Sequence, residues 1–270
     1  MNHSPAGLGK LDRERLSAVM RGTNGTISNA DAASLMGLDQ TNASKLLARW
    51  CKKGWLSRVA QGLYVPVPLE AERTDLPLED PWLVAASLYS PCYIGGWTAA
   101  EHWDLTEQIF RTVVVMSTTR PRNRKPTLQG TSFWVSTIPA EKMFGLTPVW
   151  HGSTKIQVSD PSRTLLDVVS DPRIGGGIRS VQDMLRNYLH SESKNLAQLM
   201  TYAERLGNGA VFKRLGFLLE TNAPEETAVI EQCQRNLTKG NATIDPKISA
   251  KSLVARWRLW VPNEWKTGVR

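Results

Sequence analysis

SNADAASLMGLDQTNASKLLARWCKKGW, residues 28–55, is the stretch whose reading decides the fold. Ser28 offers a side-chain oxygen at the start of a helix over residues 29–36. Ala30, Ala33 and Met36 recur at i, i+3, i+6, so one face can turn inward. Gly37 then supplies the positive φ that a tight helix–helix turn requires, and Leu38 can fill the gap between the two helices. Residues 39–41 bring cap residues for a third helix over about 42–53. Its faces separate: Ala43, Leu46, Leu47 and Trp50 recur at i, i+3, i+4, i+7 as a core stripe, while Asn42, Lys45, Arg49 and Lys52 share another face. Those polar types suit a major groove. Asn reads adenine bidentately, Arg reads guanine, and Lys holds phosphate.

Working outward, residues 11–21 fit a first helix, with Leu11, Leu16, Val19 and Met20 as candidate core positions. Downstream, Gly54 ends the third helix. Residues 55–59 read as a strand, Ala60-Gln61-Gly62 as a turn, and 63–65 as the return strand. This hairpin is a β-wing that places Arg58 and Gln61 against a DNA backbone or minor groove. The alternative, a small helical bundle with a merely solvated polar face, explains neither the Gly-turn nor the Gly-tipped hairpin. The expected DNA-binding set is Thr41, Asn42, Lys45, Arg49, Lys52, Arg58 and Gln61, within a winged helix-turn-helix domain at 1–68.

Composition agrees with this reading. The chain has 270 residues, 41% hydrophobic and 21% charged, which is globular and rules out disorder. Formal net charge is +8 and the pI about 9.5, favouring a polyanion partner. The charge is clustered, as phosphate contacts need. Residues 1–70 hold nine Lys/Arg against five Asp/Glu. RPRNRK at 120–125 has four cations and no acid, and the tail from 246 carries Arg256 and Arg258 among six cations against Glu264 alone. Arg120, Arg122, Arg124, Lys125, Arg256 and Arg258 are therefore further candidates for nucleic-acid or partner contact. No apolar run approaches the length of a membrane span, and residues 1–10 lack a signal-peptide core, so a cytoplasmic protein is predicted. Cys51, Cys92 and Cys233 lie far apart without a CxxC pair, as reduced buried thiols do.

Residues 66–81, with Pro66, Pro68, Pro77, Pro81 and several acids, read as a linker. The larger domain beyond it, 79–270, mixes helices and strands, giving an α+β chain: an N-terminal winged helix-turn-helix followed by a larger mixed α/β C-terminal domain. Asp80-Pro81 opens a helix over 82–89. Residues 112–117 read as a buried strand, 131–138 and 155–158 as others. Ser159-Asp160-Pro161 starts a helix over 163–169, with Asp160 as its cap and Arg163 and Asp167 free to pair at i, i+4. Beyond Gly175-Gly176-Gly177 the pattern is helical to about 236. Residues 254–261 read as a terminal strand with Arg256 and Arg258 on one face and Trp257, Leu259 and Val261 on the other.

Three downstream segments, YIGGWTAAEHWDLTE at 93–107, SDPSRTLLD at 159–167 and KRLGFLLE at 213–220, resemble the AbiEi family of antitoxins from bacterial abortive-infection, type IV toxin–antitoxin systems. The resemblance covers nearly the whole chain and weakens after about Glu220. It implies a winged helix followed by a larger C-terminal domain. It implies two roles as well: repression of the chain's own operon at double-stranded promoter DNA with inverted repeats, and antagonism, direct or indirect, of a cognate nucleotidyltransferase-like toxin. The antitoxin role rests on the family alone.

Residue patterns for chemistry are sparse, and no enzyme, metal or cofactor is expected. His3, His102, His151 and His190 have no metal-ligand spacing. There is no G-x-S-x-G elbow. Gly152-Ser153 resembles the start of a nucleotidyltransferase motif, but no Asp-x-Asp follows. Glu101-His102 has the look of an acid–base pair, but the reading preferred is that Ala100, Trp103 and Leu105 pack while Glu101 or His102 makes a structural hydrogen bond. The glycine triplet lacks phosphate-cradle spacing. An alternative is a metal-dependent nuclease built on Glu-x-Lys, present as Glu192-Ser193-Lys194 and Glu264-Trp265-Lys266. A ligand-responsive repressor without a toxin partner is a third reading.

Overall fold

The computed structural model describes residues 7–68 and 78–268. His3 and the centre of the proposed linker, 69–77, lie outside the described residues. In chain order the elements are α1 (Lys10–Gly22), β1 (Ile27–Ser28), α2 (Asn29–Met36), α3 (Gln40–Lys52), β2 (Leu56–Ala60), β3 (Leu63–Pro66), α4 (Pro81–Tyr89), β4 (Cys92–Ile94), α5 (Gly96–His102), β5 (Thr112–Ser117), β6 (Thr127–Leu128) and β7 (Thr131–Thr137). Then follow β8 (Leu146–His151), β9 (Thr154–Ser159), α6 (Pro161–Ser170), α7 (Ile178–His190), α8 (Leu196–Leu206), α9 (Gly209–Asn222), α10 (Thr227–Arg235), β10 (Ala242–Thr243), β11 (Ser252–Val254) and β12 (Leu259–Val261). The fold is mixed α/β, with the helix-turn-helix at the N-terminus and a larger α/β portion after it.

The chain forms two compact units. One comprises Met1–Cys92, Arg111–Thr137 and Pro148–Ile156; the other comprises Tyr93–Phe110, Ile138–Thr147 and Gln157–Arg270.

The first unit contains the winged helix. Ser28 accepts from the backbone N–H of Asp31 at 3.0 Å, and the Asp31 carboxylate accepts from the Ser28 N–H at 3.3 Å, a reciprocal capping box. Gly37 stops α2 at φ 63°. β1, β3 and β2 form a three-stranded sheet in that order, with β3 antiparallel to both neighbours. The core beneath it is Leu16, Val19, Ile27, Ala32, Leu46, Leu47, Trp50, Leu56 and Tyr64. Two expected core positions of α1 are exposed instead, Leu11 at 58% and Met20 at 45%. Asp12, Leu16 and Val19 fall at i, i+4, i+7, so the inward stripe of α1 begins at Asp12, which an arginine of α3 meets. In α2, Ala30 is exposed and Ala32 is fully buried. The inward stripe is Ala32, Ala33 and Met36, and Ala30 lies about 200° from Ala32 around the helix.

In the same unit β5 and β7 run parallel from Thr112↔Ser132 to Ser117↔Thr137, and β6 pairs antiparallel with β7. α4 packs on β5. Asp80 caps α4 through the N–H groups of Trp82 and Leu83, and its other oxygen lies 2.6 Å from His151 Nδ1. The turn between β8 and β9 touches the winged helix, where Ser153 Oγ donates to Asn24 Oδ1 at 2.5 Å. Thr26 and Ser87 join hydroxyls at 2.9 Å.

The second unit is organised around α6, whose residues Ser162 to Val169 are all buried. It packs against α5, α7, α8 and α9. Asp160 caps it as the sequence predicts, accepting from Arg163 N–H at 2.8 Å, and Tyr202 Oη donates to the other oxygen at 3.1 Å. β4 and β9 pair in parallel through Ile94↔Val158. The expected strand over 254–261 is broken. β11 stops at Val254, residues 255–257 make a tight turn, and Arg258 takes the left-handed conformation at φ 50° before β12 resumes. The break drops Trp257 onto Gly216 of α9, where even one added carbon would lie 2.0 Å from Trp257 Cζ3. Trp257, Leu259 and Val261 are fully buried as expected. Arg256 and Arg258 do not share a strand face.

Candidate nucleic-acid interface

The geometry of α3 follows from its cap and its inward stripe. Asp39 Oδ1 accepts from Asn42 N–H at 2.9 Å, and Asp39 Oδ2 accepts from the Asn42 side-chain amide at 2.6 Å. These bonds hold the Asp39 carboxyl below its ordinary pKa, the backbone bond most of all. Ala43, Leu46, Leu47 and Trp50 face the core, and Thr41, Asn42, Lys45, Arg49 and Lys52 are all exposed on the other side. A shallow depression of about 300 Å³ gathers Asn42, Lys45 and Arg49 with Leu38, Leu46 and Arg15. Arg15 is the residue that sequence reasoning missed. It belongs to α1 and reaches this face only through packing.

Arg49 is not idle. Its Nη2 donates to Asp12 Oδ1 at 2.7 Å, with the guanidinium half-exposed. The wing presents Arg58 and Gln61, both exposed. A bulge separates Arg58 from Ala60, and Arg58 Nε donates to the Ala60 carbonyl at 3.3 Å. Gly62 makes the tip turn at φ 76°.

The other candidate cations are placed differently. Arg120, Arg122, Arg124 and Lys125 occupy the exposed segment between β5 and β6. Lys125 Nζ sits 4.0 Å above the Trp134 ring. Arg256 pairs with Glu220 at 3.0 Å, and Arg258 Nη1 donates to the Thr238 carbonyl at 2.9 Å. Both tail arginines are thus occupied within their own unit.

The most strongly perturbed groups are buried in the second unit. Arg163 is 1% exposed; it donates through Nε to Asp167 Oδ1 at 2.9 Å, through Nη1 to the Phe144 carbonyl at 3.1 Å and through Nη2 to Tyr93 Oη at 2.7 Å. Tyr93 in turn donates to Asp167 Oδ2 at 3.0 Å. Burial pushes the Asp167 carboxyl up despite the adjacent guanidinium. Burial, and then the Asp167 charge, pushes the Tyr93 hydroxyl well up. The i, i+4 pairing expected of Arg163 and Asp167 is present, but it is sealed inside. A closed network of this kind positions helices and offers no atom to a substrate.

Other chemistry-bearing residues are scattered. Among the described residues no three His, Cys, Asp or Glu side chains are grouped to hold a metal ion. Lys194 is paired with Glu226 at 2.6 Å. Glu264 lines a groove with Asp183, Arg179 and Phe217, and the Lys266 side chain lies outside the described residues. Ala100 and Leu105 are fully buried and Trp103 donates to the Ser159 carbonyl at 2.7 Å, while Glu101 and His102 are exposed. Burial pushes the Cys233 thiol up to about 12, and those of Cys51 and Cys92 to about 11, which favours the protonated form of all three.

A capped two-helix turn, an amphipathic third helix with a polar outer face and a Gly-tipped hairpin define a winged helix-turn-helix of the DNA-binding class. Within it, residues 14–67 match the family of AbiEi antitoxin transcriptional regulators, which supports the assignment that the downstream segments suggested. The crystal structure of the RV2827C protein from Mycobacterium tuberculosis is similar in fold, with a TM-score of 0.63, 16% identity, and coverage of 95% of this chain and 93% of that one. No curated protein matches the chain. Among the described residues no helix is long and apolar enough to cross a membrane.

Proposed function

We propose that this protein is a cytoplasmic, non-enzymatic regulator that represses its own operon at inverted repeats in promoter DNA and acts as the antitoxin to a nucleotidyltransferase-like toxin. One observation carries the DNA-binding half. α3 turns Asn42, Lys45 and Arg49 outward together, in a segment that matches a regulator family. Asn42 and Arg49 are base readers, Lys45 and Arg15 phosphate contacts, and Arg58 and Gln61 the contacts of the wing. Thr41 and Lys52 flank the readers at either end of the helix. The antitoxin half rests on the family likeness. We assign DNA binding to residues 1–68 and toxin antagonism to 79–270.

Gel shifts on the DNA upstream of the reading frame test the first half. Arg49→Ala should weaken binding roughly fivefold to 150-fold, since a base-reading arginine is worth about 1–3 kcal/mol. Lys45→Ala should weaken all sequences alike. Undiminished binding by the combined N42A, K45A, R49A and R58A variant would overturn the assignment. The same full-length variant should still protect cells that express the toxin encoded beside it. Loss of protection together with DNA binding would refute the separation of the two roles.

A further inference from the structure

We infer that the segment 120–125 is a second duplex-DNA element, a fixed strip of cations that holds the phosphate backbone beside the wing. The inference rests on the DNA-binding reading above and extends its footprint beyond the helix-turn-helix.

Charge and its lack of neutralisation come first. Four cations occupy six successive residues with no acid among them. Some arginines elsewhere are neutralised by acids, among them Arg49 by Asp12, Arg173 by Asp171, Arg186 by Asp183 and Arg256 by Glu220. Among the described residues Arg120, Arg122 and Arg124 have no acidic partner, and all three are exposed. Like charges this close repel one another, and an arriving polyanion relieves that repulsion while releasing its own counterions.

Order is the second observation. The segment has little regular structure, yet its second half is tied down. Asn123 Oδ1 accepts from Lys125 N–H at 2.9 Å, the Arg124 carbonyl accepts from Val135 N–H at 2.8 Å, and the Pro126 carbonyl accepts from Phe133 N–H at 2.9 Å. Trp134 holds the Lys125 ammonium from below. Pro121 and Pro126 restrict the backbone further. A display fixed in advance loses little conformational freedom when it binds. A loop that served only solubility would need none of these ties.

Placement is the third. The turn after β6 hydrogen-bonds the wing, since Gln129 Nε2 donates to Ser57 Oγ of β2. Lys125 is four residues from Gln129, and Arg58 is next to Ser57. Chain reach therefore keeps Lys125 within roughly 25 Å of Arg58. One turn of a duplex spans about 34 Å, so a single DNA segment can meet both.

The salt dependence of binding by the full-length protein tests this. The probes are a duplex of arbitrary sequence and the upstream DNA, and the variant carries R120Q, R122Q, R124Q and K125Q. Each phosphate neutralised contributes about 0.9 to the slope of log affinity against log salt, so the variant should flatten that slope by about 3–4 units on both probes. Its preference for the upstream DNA should persist, because phosphate contacts carry no sequence information. A variant with R120K, R122K and R124K should keep the wild-type slope. Thermal melting confirms that both variants remain folded. An unchanged slope in the glutamine variant overturns the inference, whether or not toxin antagonism is lost with it. Loss of sequence preference with the fold intact overturns it as well. If the glutamine variant flattens the slope while the α3 variant binds like wild type, the strip stands and the α3 assignment falls.

Discussion

Replacing Arg163 by Met removes the one cation from the sealed network of the second unit. Three hydrogen bonds vanish, to Asp167, the Phe144 carbonyl and Tyr93. Asp167, 4% exposed, is left with the Tyr93 hydroxyl alone. Breaking one side of a buried ion pair costs about 3–5 kcal/mol, because the remaining charge is stranded away from water. That is a large share of the roughly 5–15 kcal/mol by which a folded protein typically exceeds its unfolded state. Urea unfolding followed by circular dichroism should show the loss directly. Removing the partners as well, in R163M with D167L and Y93F, leaves an apolar cluster with only the Phe144 carbonyl orphaned. It should recover most of the deficit, since buried pairs are often no more stable than apolar replacements.

The pH dependence separates this from a mere packing loss. The Asp167 carboxyl is raised in the folded protein, so between its unfolded and folded pKa the native state binds the proton more tightly. Its contribution to stability therefore falls as pH rises through that window and is restored below it. Without the guanidinium the folded pKa rises further and the window widens. The deficit of R163M should be largest near neutral pH and should shrink as pH drops toward the ordinary carboxylate value, by about 1.4 kcal/mol for each unit of added shift. A deficit under about 1 kcal/mol, or one that ignores pH, would refute the reasoning.

Gly216→Ala places a methyl 2.0 Å from Trp257 Cζ3 and should destabilise by about 1–3 kcal/mol or more, read as a lower urea midpoint. Ser28→Ala removes one arm of the α2 capping box and should cost about 1 kcal/mol, without changing the base preference of any DNA binding. Asp12→Asn releases Arg49, itself half-exposed, from a pair worth about 0–1 kcal/mol, so affinity for the upstream DNA should rise by at most about fivefold in a gel shift. A fall in affinity would show that Asp12 orients Arg49 instead of sequestering it.

Legibility in the sequence followed the range of the interactions. α2 and its stop were readable because Ser28, Asp31 and Gly37 act within a turn of their own positions. The division of α3 into a buried and a polar face was readable for the same reason. The terminal strand was not. Its alternation over 254–261 is what a strand would show, and only the seating of Trp257 on Gly216, some forty residues earlier in the chain, explains why Arg258 turns left-handed. Asp12 was passed over for Leu11 because an acid on an inward stripe makes sense only once Arg49 is seen opposite it. Arg15 was invisible in the same way. Arg163 and Asp167 announced themselves at i, i+4, but nothing local reveals that Tyr93 completes the network. The basic run was plain in the sequence, while its tie to the wing through Gln129 and Ser57 was not.

On the proposed function, two acids, Asp39 at the cap of α3 and Asp12 of α1, engage the proposed readers. Asp39 engages Asn42 and Asp12 engages Arg49. Each contact must be exchanged before a base is read. Exposed pairs are worth about 0–1 kcal/mol, whereas a good bidentate base contact is worth about 1–3 kcal/mol. The right base therefore outweighs the exchange and the wrong base does not, so the two acids raise discrimination at some expense in affinity. The segment 120–125 has the opposite composition, cations without acids. On the inference drawn above it adds affinity that is indifferent to sequence. Specificity and grip are thereby assigned to different parts of one compact unit, and changing Asp12 or Asp39 should alter the ratio between operator and arbitrary DNA while leaving the salt slope set by the loop in place.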